Sequence, residues 1–254
     1  MNRKLWPSKF RAFAIHLTIS LLVALLAATL VFAVWYPYPY REISGGRELF
    51  TLVMMVDVMI GPFITLVVFN PAKSRREKWL DFSVIGLAQF CALLYGLWTV
   101  ALARPVHMVF EYDRFRVVHA VDVEPKLLER AVPALQSLPW TGPTCLSLRP
   151  MTVNEQVDMT LTAINGISLS ARPELWQSYE AGRNVILAAA HPAGELLKRF
   201  PQHQAEIERA VAATKQPIDS LAYLPLISRN AIFWTVLLDR GNAKVLAYLP
   251  IDSF

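Results

Sequence analysis

The chain has 254 residues, 54% of them apolar, with only two cysteines and a formal net charge of +5. That composition excludes a disordered acidic or basic tail and a disulfide-stapled small domain. Nucleic-acid binding has no support either, because the positive charge is local: residues 1–104 carry eleven Lys or Arg against five Asp or Glu, whereas residues 105–254 carry 14 against 15.

Three stretches within the first 104 residues, about 12–36, 49–69 and 79–103, reach the roughly 20 apolar residues needed to cross a bilayer. The first is preceded by Arg3, Lys4, Lys9 and Arg11, which invites comparison with a secretion signal. Its core is too long for one, and it ends in Val34-Trp35-Tyr36-Pro37-Tyr38 where small residues would precede a cleavage site. Trp and Tyr prefer the headgroup layer, so the segment reads as an uncleaved anchor with an outer aromatic belt. The connection that follows is balanced, Arg41 and Arg47 against Glu42 and Glu48, and contains the turn pair Gly45-Gly46.

The second stretch carries Asp57 near its middle. An ionised carboxylate at that depth costs on the order of 3 kcal/mol, so it should face protein or water rather than lipid. Gly61-Pro62 follows a turn later; Pro62 has no amide hydrogen and its ring crowds the Val58 carbonyl, which predicts a bend and a freed carbonyl one residue from Asp57. Lys73, Arg75, Arg76 and Lys78 then precede the third stretch. Basic residues in short loops stay on the cytoplasmic side, which places the amino terminus inside and residues 105–254 outside.

At 1.5 Å of rise per residue, Gln89 of the third stretch falls within roughly 3 Å of the depth of Asp57, so the two can meet. His16 lies shallower, level with Thr65 and Ser83 and close to Asp81, and reads as a separate polar cluster. The functional reading of Asp57, Gln89, Gly61 and Pro62 is a polar notch that receives another transmembrane helix. The plain reading is a hydrogen bond inside the bundle, and for His16 a helix-end histidine bonded to a neighbouring hydroxyl is favoured.

Beyond Arg104 the remaining 150 or so residues suffice for one core. A hairpin is expected from Val106 to Phe110 and Phe115 to Val121, and a second from Ala231 to Leu238 and Ala243 to Leu249 around Asp239-Arg240-Gly241-Asn242. Helices are expected over 124–135, over 172–190 with Ser170 as cap and Pro173 in the first turn, and over 195–200 and 202–214. The fold class is therefore a three-helix transmembrane bundle, residues 1–104, followed by an α+β extracytoplasmic domain, residues 105–254, whose terminal strands share a sheet.

Enzyme chemistry finds no foothold. A shared-proton carboxylate pair would need a second acid beside Asp57, and Asp81 is only two residues from the boundary of its stretch. HExxH and GxSxG are absent, and His107, His119, His191 and His203 lack ligand spacing. No catalytic residue, metal or cofactor is expected. Cys91 and Cys145 belong to different regions and are not expected to pair.

Spaced polar residues inside apolar segments add a family resemblance. They are Trp35-Tyr36-Pro37, Ser44-Gly45-Gly46 with Leu49-Phe50, Val56-Asp57 with Gly61-Pro62 and Thr65-Leu66, then Lys73, Asp81, Gln89, Tyr95-Gly96 and Arg104-Pro105. In these the chain resembles the TfpX/TfpZ family of type IV pilin accessory proteins over most of residues 1–120, more weakly to the carboxyl end. The resemblance implies a multi-pass inner-membrane accessory factor without enzymatic activity, its carboxyl-terminal domain periplasmic, that supports assembly or dynamics of surface pili. Its implied partners are pilin or the pilus machinery and membrane lipid, with homo-oligomerisation left open. A competing reading from another class is a subunit of a small transporter or channel in which Asp57 binds a proton or cation; three segments with one acid would have to oligomerise to form a pathway.

Overall fold

The computed structural model describes residues 5–152, 155, 168–229 and 232–254. The chain divides into two compact units, Met1–Ala103 and Arg104–Phe254.

The first unit holds three helices, Trp6–Trp35, Gly46–Val68 and Arg75–Leu102, each long and apolar enough to cross a membrane. Leu, Val, Ala and Ile dominate them, so their backbone groups are paired within each segment while side chains of the outer faces remain exposed. Local signals set the ends. The third helix starts at a capping box in which the Glu77 amide donates to Ser74 Oγ at 3.3 Å and the Ser74 amide donates to Glu77 Oε2 at 2.7 Å. The first helix widens to π geometry over Leu30–Trp35, and the second over Val56–Ile60. The second helix packs against both others. Gly96 permits its approach to the third, since a Cβ there would lie 2.5 Å from Val53 Cγ1 on a stiff, branched side chain.

The second unit is built on one mixed sheet. Its strands are β1 (Pro105–Glu111), β2 (Arg114–His119), β3 (Thr144–Leu148), β4 (Trp176–Ser178), β5 (His191–Pro192), β6 (Leu221–Ile227), β7 (Phe233–Asp239) and β8 (Val245–Leu249). They run in the order β4-β3-β1-β2-β6-β7-β8, with β5 on β6; β1–β3 and β2–β6 are parallel, the other pairs antiparallel. Helices Gly194–Arg199 and Gln204–Thr214 cover the β6–β8 half, where Leu196 and Ile207 pack with Leu221, Tyr223, Leu237 and Leu249. Val106, Val109, Val118, Leu146 and Trp176 form the core of the other half.

Both expected hairpins are present, as β1–β2 and β7–β8; Ala231, expected at the start of the second, lies outside the described residues. The two hairpins share one sheet, as expected, with β6 between β2 and β7. Two helix expectations need correction. The helix expected over 172–190 is a 3-10 turn at Pro173–Leu175, strand β4, a second turn at Glu180–Gly182 and a short helix at Arg183–Ala189. Pairing of β4 with β3 and burial of Trp176, whose indole N–H donates to the Ser170 carbonyl at 2.8 Å, override helical propensity there. The helix expected over 124–135 shrinks to Pro125–Leu128 and a 3-10 turn at Pro133–Leu135, each opened by proline.

Candidate functional site

Asp57 sits in the π turn of the second long helix, 7% exposed. In π geometry a carbonyl bonds the amide five residues on, and five residues after Asp57 stands Pro62, which has none. That leaves the Asp57 carbonyl without a helical amide. Gln89 Nε2 donates to it at 3.1 Å. Gly61 makes room for this contact, since a Cβ at that position would lie 1.7 Å from Gln89 Nε2. Asp57 and Gln89 therefore meet, but through the main chain. Both carboxylate oxygens of Asp57 are buried without a hydrogen-bond partner among the described residues.

A cavity of about 200 Å³ lies beside this carboxyl group, lined among others by His16, Ser20, Asp57, Gly86 and Gln89. His16 bonds Thr65, Nδ1 to Oγ1 2.5 Å, as its level suggested. It also faces the cavity of Asp57, so the two polar groups read as separate in the sequence share one hollow. Ser83 takes no part: its side chain is exposed. Asp81 is bound by Lys73 Nζ at 2.6 Å and borders, with Thr65, a much smaller cavity. Ser20, 8% exposed, was not anticipated, although its spacing of four from His16 puts both on one helix face.

The remaining family-motif residues are distributed over the chain. Trp35 joins a buried cluster with Val31, Tyr36, Val100 and Ala101, and Pro37 follows it half-buried. Gly45, at φ +70°, precedes the second helix, and Gly46 begins it. Tyr95 is exposed beside Trp98, ring centroids 5.9 Å apart. Arg104 stacks over Trp140 at 4.6 Å and donates to the Pro139 carbonyl at 3.2 Å, and Pro105 opens β1.

In the sheet unit two buried histidines have structural surroundings. His107 Nδ1 lies 2.8 Å from Thr144 Oγ1, with Trp176 edge-on at 4.6 Å, and burial pushes the imidazole down to about 4. His119 is fixed by Asp122, which also accepts from Arg229 at 2.8 Å. Burial raises the Asp122 carboxyl, but the His119 side-chain and main-chain donors and the Arg229 charge outweigh it and hold the pKa low. Burial also raises the Cys145 thiol to about 11, leaving it protonated at neutral pH. Among the described residues no three His, Cys, Asp or Glu side chains gather as metal ligands.

The family model of the fimbrial assembly protein FimB matches residues 4–45. Over the whole chain, the serogroup I fimbrial assembly protein of Dichelobacter nodosus is 34% identical, covering 100% of this chain and 99% of its own length. This chain belongs to the fimbrial assembly protein family. A second member, from serogroup E1 of the same organism, is 32% identical over 100% of this chain and 99% of its own. A shorter member, of serogroups C1 and C2, is 42% identical over 48% of this chain and 94% of its own. The family-model match runs through His16, Ser20, Trp35 and Gly45, and so takes in the first-helix wall of the Asp57 cavity. No solved structure matches the family member described here.

Proposed function

We propose that this fimbrial assembly family member is a non-enzymatic accessory of type IV pilus assembly or dynamics, seated in the bacterial inner membrane. The observation that carries the reading is full-length similarity to proteins named for fimbrial assembly. In finer terms it is an accessory of the TfpX/TfpZ kind whose three helices span the bilayer with the amino terminus in the cytoplasm, and whose sheet unit lies in the periplasm. The helical unit holds or guides the transmembrane helix of pilin at Asp57, while the sheet unit engages the pilin head. The lopsided basic flanks support this orientation.

Removing the chain from a piliated host that still makes pilin should strongly reduce surface pilin, and restoring it should recover the pili. Unchanged piliation overturns the role. A reporter that works only outside the cytoplasm should be active when fused after Phe254 and inactive when fused at Ser74; the reverse pattern overturns the orientation and the pilin-head contact with it.

A further inference from the structure

The first and third long helices join at one end and part toward the other. At the joined end Tyr36 Oη donates to the Val100 carbonyl at 3.1 Å, within the cluster that holds Trp35 and Ala101. Toward Arg75 a groove separates them. The 200 Å³ cavity beside Asp57 is contiguous with a wider one of about 760 Å³, His16, Ile19 and Gly86 lining both.

We infer that this groove is the seat of one transmembrane helix from another protein, and that Asp57 anchors a hydrogen-bond donor which that helix carries near mid-membrane level. The inference rests on the pilus-assembly reading for the membrane setting and for pilin as the occupant.

Three observations select a donor-bearing helix. Asp57 is more than nine-tenths buried and lines the groove, yet neither carboxylate oxygen has a partner among the described residues, a costly arrangement that an incoming donor relieves. The walls suit a helix: Ala12, His16, Ser20 and Ala24 repeat at intervals of four along the first helix. Gly86 opposite them has nothing within 4 Å of where a Cβ would stand. Small residues so placed let another backbone come close. An acyl chain would fill the space but bring no donor. A second copy fails for the same reason, because the exposed side chains level with Asp57 and Gln89 offer, among the described residues, no donor stronger than the Cys91 thiol.

The test places a photoactivatable side chain at Ile19, in the groove, or at Val67, exposed on the second helix and outside it, in the full chain in membranes of a host that makes pilin. Irradiation should give a pilin adduct from Ile19 and at most about a tenth as much from Val67, a difference of ~1.4 kcal/mol in occupancy. Gly86→Phe, which fills the groove, and Asp57→Leu, which removes the acceptor, should each cut the Ile19 adduct about tenfold at equal abundance. Equal adducts from both positions, an adduct that survives Gly86→Phe, or only lipid or self-adducts from Ile19 would overturn the groove while the accessory role, judged by piliation, could stand. If Ile19 instead captures a different single-span protein, identified by mass spectrometry and lost in Gly86→Phe and Asp57→Leu, the groove stands and pilin as its occupant falls.

Discussion

Asp57 in the helical unit is buried and Asp122 in the sheet unit half-buried, and the surroundings of the two acids differ in kind. Asp122 accepts from the His119 amide at 3.1 Å, from His119 Nδ1 at 3.2 Å and from Arg229 at 2.8 Å. Asp57 accepts from nothing described, although Gln89 reaches the carbonyl of the same residue. A carboxylate with several charge-assisted bonds stabilises its fold; one with none burdens it. The Asp122 carboxylate is thus satisfied within the sheet unit, even though Nε2 of His119 beside it is buried without a partner among the described residues, whereas the helical unit carries an acid whose two oxygens its own fold leaves unbonded.

Breaking the sheet unit should have the largest effect. β7 pairs with β6 along seven register positions, and Leu237, Leu238, Leu249 and Ile251 are buried. Deleting residues 233–254 strips one edge of β6 and takes Leu237, Leu249 and Ile251 from the core they share with Leu196 and Ile207, so loss of the truncated protein to proteolysis is expected on immunoblots of membranes. Normal abundance of a protease-resistant truncation would show that the remaining six strands, β1 to β6, stand without β7 and β8.

Acid should come next, through His107. Its folded pKa of about 4 lies below the unfolded value near 6.5, so the unfolded chain takes up a proton first. Stability is therefore full above about pH 6.5 and falls by on the order of 3 kcal/mol as pH drops toward 4. Thermal midpoints of the detergent-solubilised protein, followed by the fluorescence of its tryptophans, should fall across that window, and His107→Gln should flatten the fall.

The two aspartates sharpen the comparison at smaller scale. Asp122→Ala leaves His119 and Arg229 without their acceptor and should cost about 1–2 kcal/mol, measured by the same melting. Asp57→Asn should cost the helical unit about 0 kcal/mol, because no bond to the carboxylate is lost. In piliation assays at equal abundance, Asp57→Asn should retain most surface pili and Asp57→Leu should lose them, as expected of an anchor that works by hydrogen bonding. Failure of both alike would assign the role to a titrating proton or bound cation, and wild-type behaviour of both would remove Asp57 from the site.

The sequence showed the three long helices plainly because length and apolarity are local properties. The two hairpins were equally legible from β-branched runs around polar turns. β6 was not. Leu221–Ile227 contains Pro225, which argues against a central strand, yet its missing amide falls between the two partners on that edge, β5 at Ala222 and Tyr223 and β2 at Leu226 and Ile227. No local pattern announces such a gap.

The same division holds at the candidate site. Composition and spacing determined that Asp57 and Gln89 lie at one depth, because helical rise is fixed per residue. Which atom of Asp57 receives Gln89, that His16 shares its cavity, and that the first and third helices part beside it were decided by packing between segments. These are contacts among residues 30 to 70 positions apart in the chain, and such contacts depend on how whole helix faces fit together.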